Sequence, residues 1–319
     1  MKRREFIVLA GSLLVLPAAR AQAKSVKIGI LAPLKRPGAL PAILKRLGEL
    51  GFVEGRNLSV ELRSTEGVED RSPQLARELV QAKCDVIIAY GTQEGARALM
   101  QATSSVSIVI LAIDYDPLEA GIVRSLRRPG GNVTGIYNPN PLLAAKRLEL
   151  LREVVPRAKR VLALVDSYGA EQLKITRAAA ARLNIEIVPI TFTGPPYDFE
   201  AAFEKGRAAK ADALILFTSP AIFERRENIS RLVAKSRLPT IVPANIFIDA
   251  GLLTYGVNNA KAFERAGDIV ASILKGANPG EIAVEQAGVF RMVVNLKVAK
   301  ALGLKVPQSV LVRATEVIE

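Results

Sequence analysis

The stretch Val106-Ser-Ile-Val-Ile-Leu-Ala-Ile-Asp-Tyr-Asp-Pro-Leu-Glu-Ala-Gly-Ile-Val-Arg-Ser-Leu-Arg-Arg-Pro-Gly-Gly-Asn-Val-Thr-Gly-Ile-Tyr137 decides how the rest of the chain is read. Residues 108–113 form a continuous apolar run rich in β-branched side chains, which suits a parallel strand buried on both faces. Asp114, Tyr115 and Asp116 leave that strand at its carboxyl end, where ligands sit in open α/β sheets. Asp116-Pro117 reads as a helix start, because the aspartate caps free N–H groups and proline at the first helical position gives up no hydrogen bond. The spacing of Leu118, Ile122, Val123 and Leu126 predicts one apolar helix face, stopped at Pro129-Gly130-Gly131. A short strand over 132–137 follows and runs into Pro139 and Pro141. Because a second α/β unit begins beyond it, the segment 132–141 reads as a crossing between two lobes.

Working outward, the chain before this stretch alternates strand and helix. Apolar runs at 26–31, 58–62 and 86–90 predict strands, and amphipathic spacing predicts helices over 40–50, 73–82 and 94–101. This is the repeated βαβ pattern of a doubly wound parallel sheet. The same grammar restarts after the crossing, with strands over 160–165, 185–190, 213–217 and 240–242. Helices are predicted over 142–154, 169–183, 199–208 and 222–236. Two such complete sets point to an α/β fold of two similar doubly wound parallel-sheet lobes.

Residues 1–23 read as an export signal: Lys2, Arg3 and Arg4 at the start, an apolar core over 6–16, and Ala21-Gln-Ala23 as a small-x-small cleavage site. The core is about half the ~20 apolar residues a membrane span needs. Lys2-Arg-Arg-Glu-Phe-Ile7 also resembles a twin-arginine motif, so both the general and the twin-arginine routes stay open. With no cysteine at the cleavage site, a lipid anchor is not expected, and the expected location is periplasmic. The single cysteine, Cys84, cannot form an internal disulfide and reads as a small apolar residue near a core. The formal charge is +13. Removing 1–23 takes away Lys2, Arg3, Arg4 and Arg20 with Glu5, and leaves the chain strongly basic. Lysines and arginines are scattered over helix faces with no run of four, so nucleic acid is not an expected partner.

Absences narrow the chemistry. The chain has no histidine, which excludes Ser-His-Asp and Cys-His catalytic sites and any histidine-bearing zinc site. It carries no Gly-x-Ser-x-Gly elbow, no phosphate loop and no Gly-x-Gly-x-x-Gly after a strand. No catalytic residue, metal or cofactor is expected. Tyrosine is what recurs: Tyr90, Tyr115, Tyr137, Tyr168 and Tyr255 fall at strand ends or crossings. A tyrosine offers a broad apolar face and one hydroxyl, which suits the lining of a small-molecule cleft.

The pattern Asp-Pro-x-x-x-Gly-x-Val-x-Ser-Leu-x-Arg-Pro-Gly-Gly-Asn-Val-Thr-Gly over 116–135 resembles the substrate-binding components of a bacterial ABC uptake family that includes tryptophan- and phenylalanine-binding members. Residues 47–57, 144–153 and 295–304 fit the same resemblance. It implies a type I periplasmic binding protein with about three crossings between the lobes. The first lobe would comprise 24–137 and 257–289, and the second 138–256 and 290–319. It further implies a monomer that closes on a small organic ligand and meets the membrane only through a permease driven by an ATPase. By position, the first lobe would offer Pro33, Tyr90, Gly91, Thr92, Asp114, Tyr115 and Tyr137 to the ligand. The second would offer Ser167, Tyr168, Gly169, Thr218, Ser219 and Asn245, with Asp249 near the return crossing. Asp166-Ser167-Tyr168 departs from the asparagine-rich turn common in that family. The expected ligand is an aromatic or branched-chain amino acid or an analogue. The alternatives are a sensory solute receptor and an enzyme on a two-lobed α/β scaffold.

Overall fold

The computed structural model describes residues 25–113, 115–138 and 140–319. The segment 1–23 read as an export signal, and Asp114, lie outside the described residues. Among the described residues no helix is long and apolar enough to cross a membrane.

The first sheet is built from β1 (Val26–Ala32), β2 (Leu58–Ser64), β3 (Val86–Gly91), β4 (Ser107–Ala112) and β5 (Val133–Tyr137). The second is built from β6 (Arg160–Val165), β7 (Glu186–Thr191), β8 (Ala213–Leu216), β9 (Thr240–Val242) and β10 (Leu253–Val257). The chain then gives β11 (Glu285–Gln286) back to the first sheet, and β12 (Phe290–Asn295) and β13 (Glu316–Ile318) to the second. The first sheet runs β11-β5-β4-β3-β1-β2, with every pairing parallel. The second runs β13-β12-β10-β9-β8-β6-β7, where only β10 against β12 is antiparallel. The fold is therefore two doubly wound α/β lobes.

Both sheets are covered on both faces, and that is why their strands read as unbroken apolar runs. In the first lobe Ile28, Ile30, Val86, Ile88 and Val109 face one core and Ile87, Ile108 and Ile110 the other. In the second, Val161, Ala163 and Ile215 face one core while Leu162, Leu164 and Leu216 face the other. Each valine, leucine or isoleucine among them, fully buried, is worth about 1.5–3 kcal/mol of transfer free energy.

The chain passes between sheets after Tyr137, after Val257, and between Gln286 and Phe290. The helix Asn259–Leu274 returns to the first lobe, where Ala266, Ile269 and Val270 join the core that holds Ile43 and Leu47. Periodicity alone does not reveal that choice of lobe. Tyr255, on β10, packs against the cores of both lobes and stacks on Phe290 with ring centroids 6.4 Å apart. Arg147, from the helix Asn140–Val154, is fully buried beneath it and donates from Nε to the Tyr255 carbonyl at 3.0 Å. Burial draws its guanidinium down to about 9, so it is still charged at neutral pH.

Two sequence expectations need correction. The apolar spacing after Asp116 does not produce a helix. Residues 117–121 make a single turn, and the chain then runs irregularly to β5. Asp116 does cap that turn, its Oδ1 accepting from Leu118 N at 2.7 Å and Glu119 N at 3.1 Å. Gly121, at φ +67°, then turns the backbone left-handed and ends it. The helix expected over 222–236 is instead two, Pro220–Glu224 and Arg226–Ser236, broken at Arg225.

Candidate functional site

In each lobe the strand order reverses once, and that is where a doubly wound sheet opens a crevice at its carboxyl ends. In the first lobe the reversal lies between β1 and β3. Pro33 is buried there against Gly91, whose backbone is left-handed at φ +103°. A Cβ at Gly91 would meet the proline ring at 3.3 Å, so glycine answers both constraints. Thr92 caps the helix Gln93–Ala102 by accepting from Gly95 N at 3.1 Å, and donates its own hydrogen to Glu69 Oε2 at 3.0 Å. Ser72 and Thr65 add hydroxyls to the same carboxylate at 3.4 and 3.5 Å. Glu69 thus gathers three neutral donors from its own lobe.

In the second lobe the reversal lies between β6 and β8, and its two turns are braced to each other. Asp166 is buried, accepts from Tyr168 N at 3.1 Å, and takes the Ser219 hydroxyl hydrogen on its other oxygen. Burial pushes the Asp166 carboxyl up from its ordinary range, and the Ser219 hydroxyl partly offsets this. Ser219 Oγ in turn accepts from Ile222 N and caps the helix Pro220–Glu224. Gln172, completely buried, accepts from Thr218 N at 3.0 Å and donates to the Thr218 carbonyl at 2.8 Å. These bonds hold 166–169 and 218–219 as one rigid rim. Gly169 fits because a Cβ would press on Val165 and Phe217 at 3.1 and 3.3 Å.

The two rims meet. The Tyr168 hydroxyl donates to Glu69 Oε1 across the cleft. This contact joins the β1–β3 and β6–β8 sides of the lobes, remote in strand order from the crossings at β5 and β10. Between it and the crossings lies a small chamber, part of it open to solvent. Tyr90, Tyr137 and Phe263 wall it from the first lobe, and Thr218, Phe223 and Pro243 close it from the second. Tyr90 and Phe263 meet edge to face with centroids 6.3 Å apart. Burial pushes the Tyr90 phenol up to about 12, so it is neutral. Among the described residues, the chamber wall carries no charged side chain.

A second recess, of about 510 Å³, opens on the other side of Tyr137. Its wall mixes apolar and charged groups, with Tyr115, Asp116 and Arg97 from one lobe facing Glu171 from the other. Tyr137 is buried between the two spaces and donates to Gln286 at 3.3 Å. Burial, with the negative charge of Asp116 behind it, raises its phenol pKa.

The sequence-derived candidates thus separate into groups. Tyr90, Tyr137 and Thr218 meet in the chamber. Thr92 and Tyr168 meet through Glu69. Pro33, Gly91, Gly169 and Ser219 shape the rims, and Tyr115 lines the outer recess. Ser167 and Asp249 are exposed on turns. Asn245 sits in a separate hollow beside Arg291. Asp114 lies outside the described residues. Sequence reasoning missed Glu69, Asn138, Phe223 and Phe263. Glu69 follows the carboxyl end of β2 and could have been found by the same strand-end rule. Phe223 and Phe263 sit inside short apolar helical patterns, where phenylalanine reads as core.

Comparison with known proteins agrees with this geometry. The family model described as ABC transporter substrate binding protein matches residues 27–318. The tyrosine-binding protein of Clostridioides difficile (strain R20291) is 26% identical over 289 residues, 88% of this chain and 82% of that protein. The crystal structure of an ABC domain in complex with L-Trp from Streptococcus pneumonia has a TM-score of 0.77 at 26% identity, covering 92% of this chain and 100% of that one. A conserved domain protein from Vibrio cholerae O1 biovar El Tor str. N16961 reaches 0.80 at 27% identity, with the same coverage. With a family model spanning nearly all the described residues and a chamber between two α/β lobes, the chain belongs to the ABC transporter substrate-binding protein family.

Proposed function

We propose that this chain is the periplasmic solute receptor of an ABC uptake transporter, and that its ligand is an amino acid with an aromatic or branched apolar body. The observation that carries the ligand class is the chamber between the lobes, walled by Tyr90, Tyr137, Phe223 and Phe263. Flat apolar walls suit a ring or a branched chain. The strand-end carboxylates, Glu69 and by its place after β4 Asp114, suit an ammonium. A tyrosine-binding relative and an L-Trp-bound relative support the same class. Residues 1–23 would export the chain. The lobes would hinge at the three crossings, close on ligand and present the closed form to a permease driven by a cytoplasmic ATPase.

A thermal-shift screen of the mature protein against amino acids, sugars and inorganic anions tests this. A ligand at 100 times its dissociation constant stabilises the fold by ~2.7 kcal/mol, which is an easily visible rise in midpoint. Aromatic or branched amino acids should give that rise, and small-angle scattering should then show a smaller radius of gyration. Silence from every amino acid, with a response to sugars or anions, would remove the assignment.

A further inference from the structure

Arg147 is a buried cation without a counter-charge. Its side chain is fully buried, and its terminal nitrogens Nη1 and Nη2 have no hydrogen-bond partner in the protein. Arg46 and Arg63 hold carboxylates at 2.7 and 2.8 Å; Arg147, among the described residues, holds none. Only its Nε is answered, by the Tyr255 carbonyl. That carbonyl lies just past the β9–β10 pairing, whose last partners are Val242 and Thr254. Pro243 follows Val242 and has no N–H to offer. A buried charge whose donors lack partners is costly, and folded chains seldom keep one.

The place of this cation in the fold gives its cost a direction. Along the helix Asn140–Val154, Leu143 lies one turn before Arg147 and Leu151 one turn after, on the same stripe. Leu143 packs in the first-lobe core with Ile136 and Val257, whereas Leu151 packs in the second-lobe core with Val161 and Leu253. Arg147 therefore sits where the two cores meet. Tyr255, whose carbonyl it holds, packs against the same two cores. Motion of the lobes about the crossings is felt at this junction before it reaches the interior of either lobe.

Accepting the reading of the chain as a two-lobed solute receptor, we infer that Arg147 is a built-in opener of the hinge. With the rims in contact through Tyr168 and Glu69, its guanidinium is uncompensated. When the lobes part, water or a main-chain carbonyl of a crossing strand reaches Nη1 and Nη2, and closure strips them again. The ligand-free equilibrium is thereby held toward the open form, and part of the ligand's binding free energy is used to close against it. Apparent affinity falls with the fraction of the closing-competent state, and the ligand-free chain rarely presents a closed form to the permease.

Arg147→Gln in the mature chain tests this. A glutamine Nε2 stands at the same place along the side chain as the arginine Nε, so the bond to the Tyr255 carbonyl is kept while Nη1, Nη2 and the charge are lost. Small-angle scattering of the ligand-free proteins should give a smaller mean radius for the variant than for the wild type. Titration with L-tyrosine and L-tryptophan should show that whichever binds the wild type binds the variant on the order of tenfold tighter, chiefly through slower release. Ligand-free radii that agree overturn the inference, and so does a smaller radius without tighter binding. A larger radius with weaker binding also overturns it, since the guanidinium would then be bracing the closed form. Arg147→Met stands in if the glutamine variant does not fold; if neither folds, the fold needs the guanidinium in both forms and the inference falls. Silence from both amino acids in the wild type would remove the aromatic reading of the ligand, and the ligand-free radii would still decide the role of Arg147.

Discussion

The Tyr168 hydroxyl, on the second lobe, donates to the carboxylate of Glu69 on the first, and Glu69 is already held in place by Thr92, Ser72 and Thr65. A phenol meeting a pre-positioned carboxylate forms a charge-assisted hydrogen bond, stronger than one between neutral groups. The bond exists only when the rims touch, so it favours the closed form and does nothing for the open one. Tyr168→Phe and Glu69→Gln should each weaken ligand binding by roughly 1–2 kcal/mol. The double variant should lose little more than either single one. Scattering should also show a larger mean radius for the variants at subsaturating ligand. Fully additive losses in the cycle would mean that the two residues act separately.

Asp166 gives a pH signature. Burial raises its carboxyl pKa in the folded chain, the Ser219 and backbone hydrogen bonds offsetting only part of that effect. The folded form therefore holds the proton more tightly than the unfolded form, whose carboxyl titrates near the ordinary value of about 3.9. Stability from this group is fully present below that value and is lost as pH rises through the folded one. Asp166→Asn keeps an acceptor for Tyr168 N and removes the buried charge. Its melting temperature should equal or exceed that of the wild type at pH 7, and the gap should shrink toward pH 4 and below. A gap that widens on acidification would show that the charge is held favourably.

The fold was readable because both sheets are buried on two faces. Residues 86–90, 108–113 and 161–165 are unbroken apolar runs for that reason. Lobe membership was less accessible. The helix Asn259–Leu274 has an apolar face that would suit either lobe, and its place is set by non-local contacts such as Arg46 Nε to Asp268 at 2.7 Å. At the site, the strand-end rule finds Tyr90, Thr92, Tyr168 and Thr218. It gives no reason to choose Phe263, which reaches the chamber only because its helix returns across the crossing. The false helix after Asp116 has the opposite cause. Ile122 and Val123 are buried, as an apolar helix face would be, but they lie beyond a one-turn cap that ends at Gly121.

Asp116 separates charge from capping. Its Oδ1 accepts from two backbone N–H groups, and an asparagine can offer the same acceptor. Asp116→Asn should leave the melting temperature within error, whereas Asp116→Ala should cost ~1 kcal/mol in denaturant unfolding. Asp116 also lines the recess outside Tyr137. Comparable, large losses of ligand affinity in both variants would make its charge part of recognition instead.

The crossings supply a sharper structural test. Gly256, on β10 just before the chain returns to the first lobe, lies so close to the neighbouring strand end that a Cβ would fall 1.9 Å from the Pro243 carbonyl oxygen. Backbone, unlike a flexible side chain, cannot swing aside, so Gly256→Ala must displace β10 or the Val242–Pro243 turn. Both moves disturb Pro243 and Val257, which line the chamber, and both disturb the seat of Tyr255 between the two cores. Gly288 is the control. It lies at the third crossing, and a Cβ there would sit at an ordinary 3.8 Å from its nearest neighbour, the Gln286 carbonyl. Gly256→Ala should destabilise the chain by at least ~3 kcal/mol, at the severe end of single substitutions. Gly288→Ala should stay within ~0.5 kcal/mol of the wild type. Urea unfolding of the two variants side by side makes the comparison, and a Gly256→Ala protein as stable as Gly288→Ala would show that the crossing yields easily at this point.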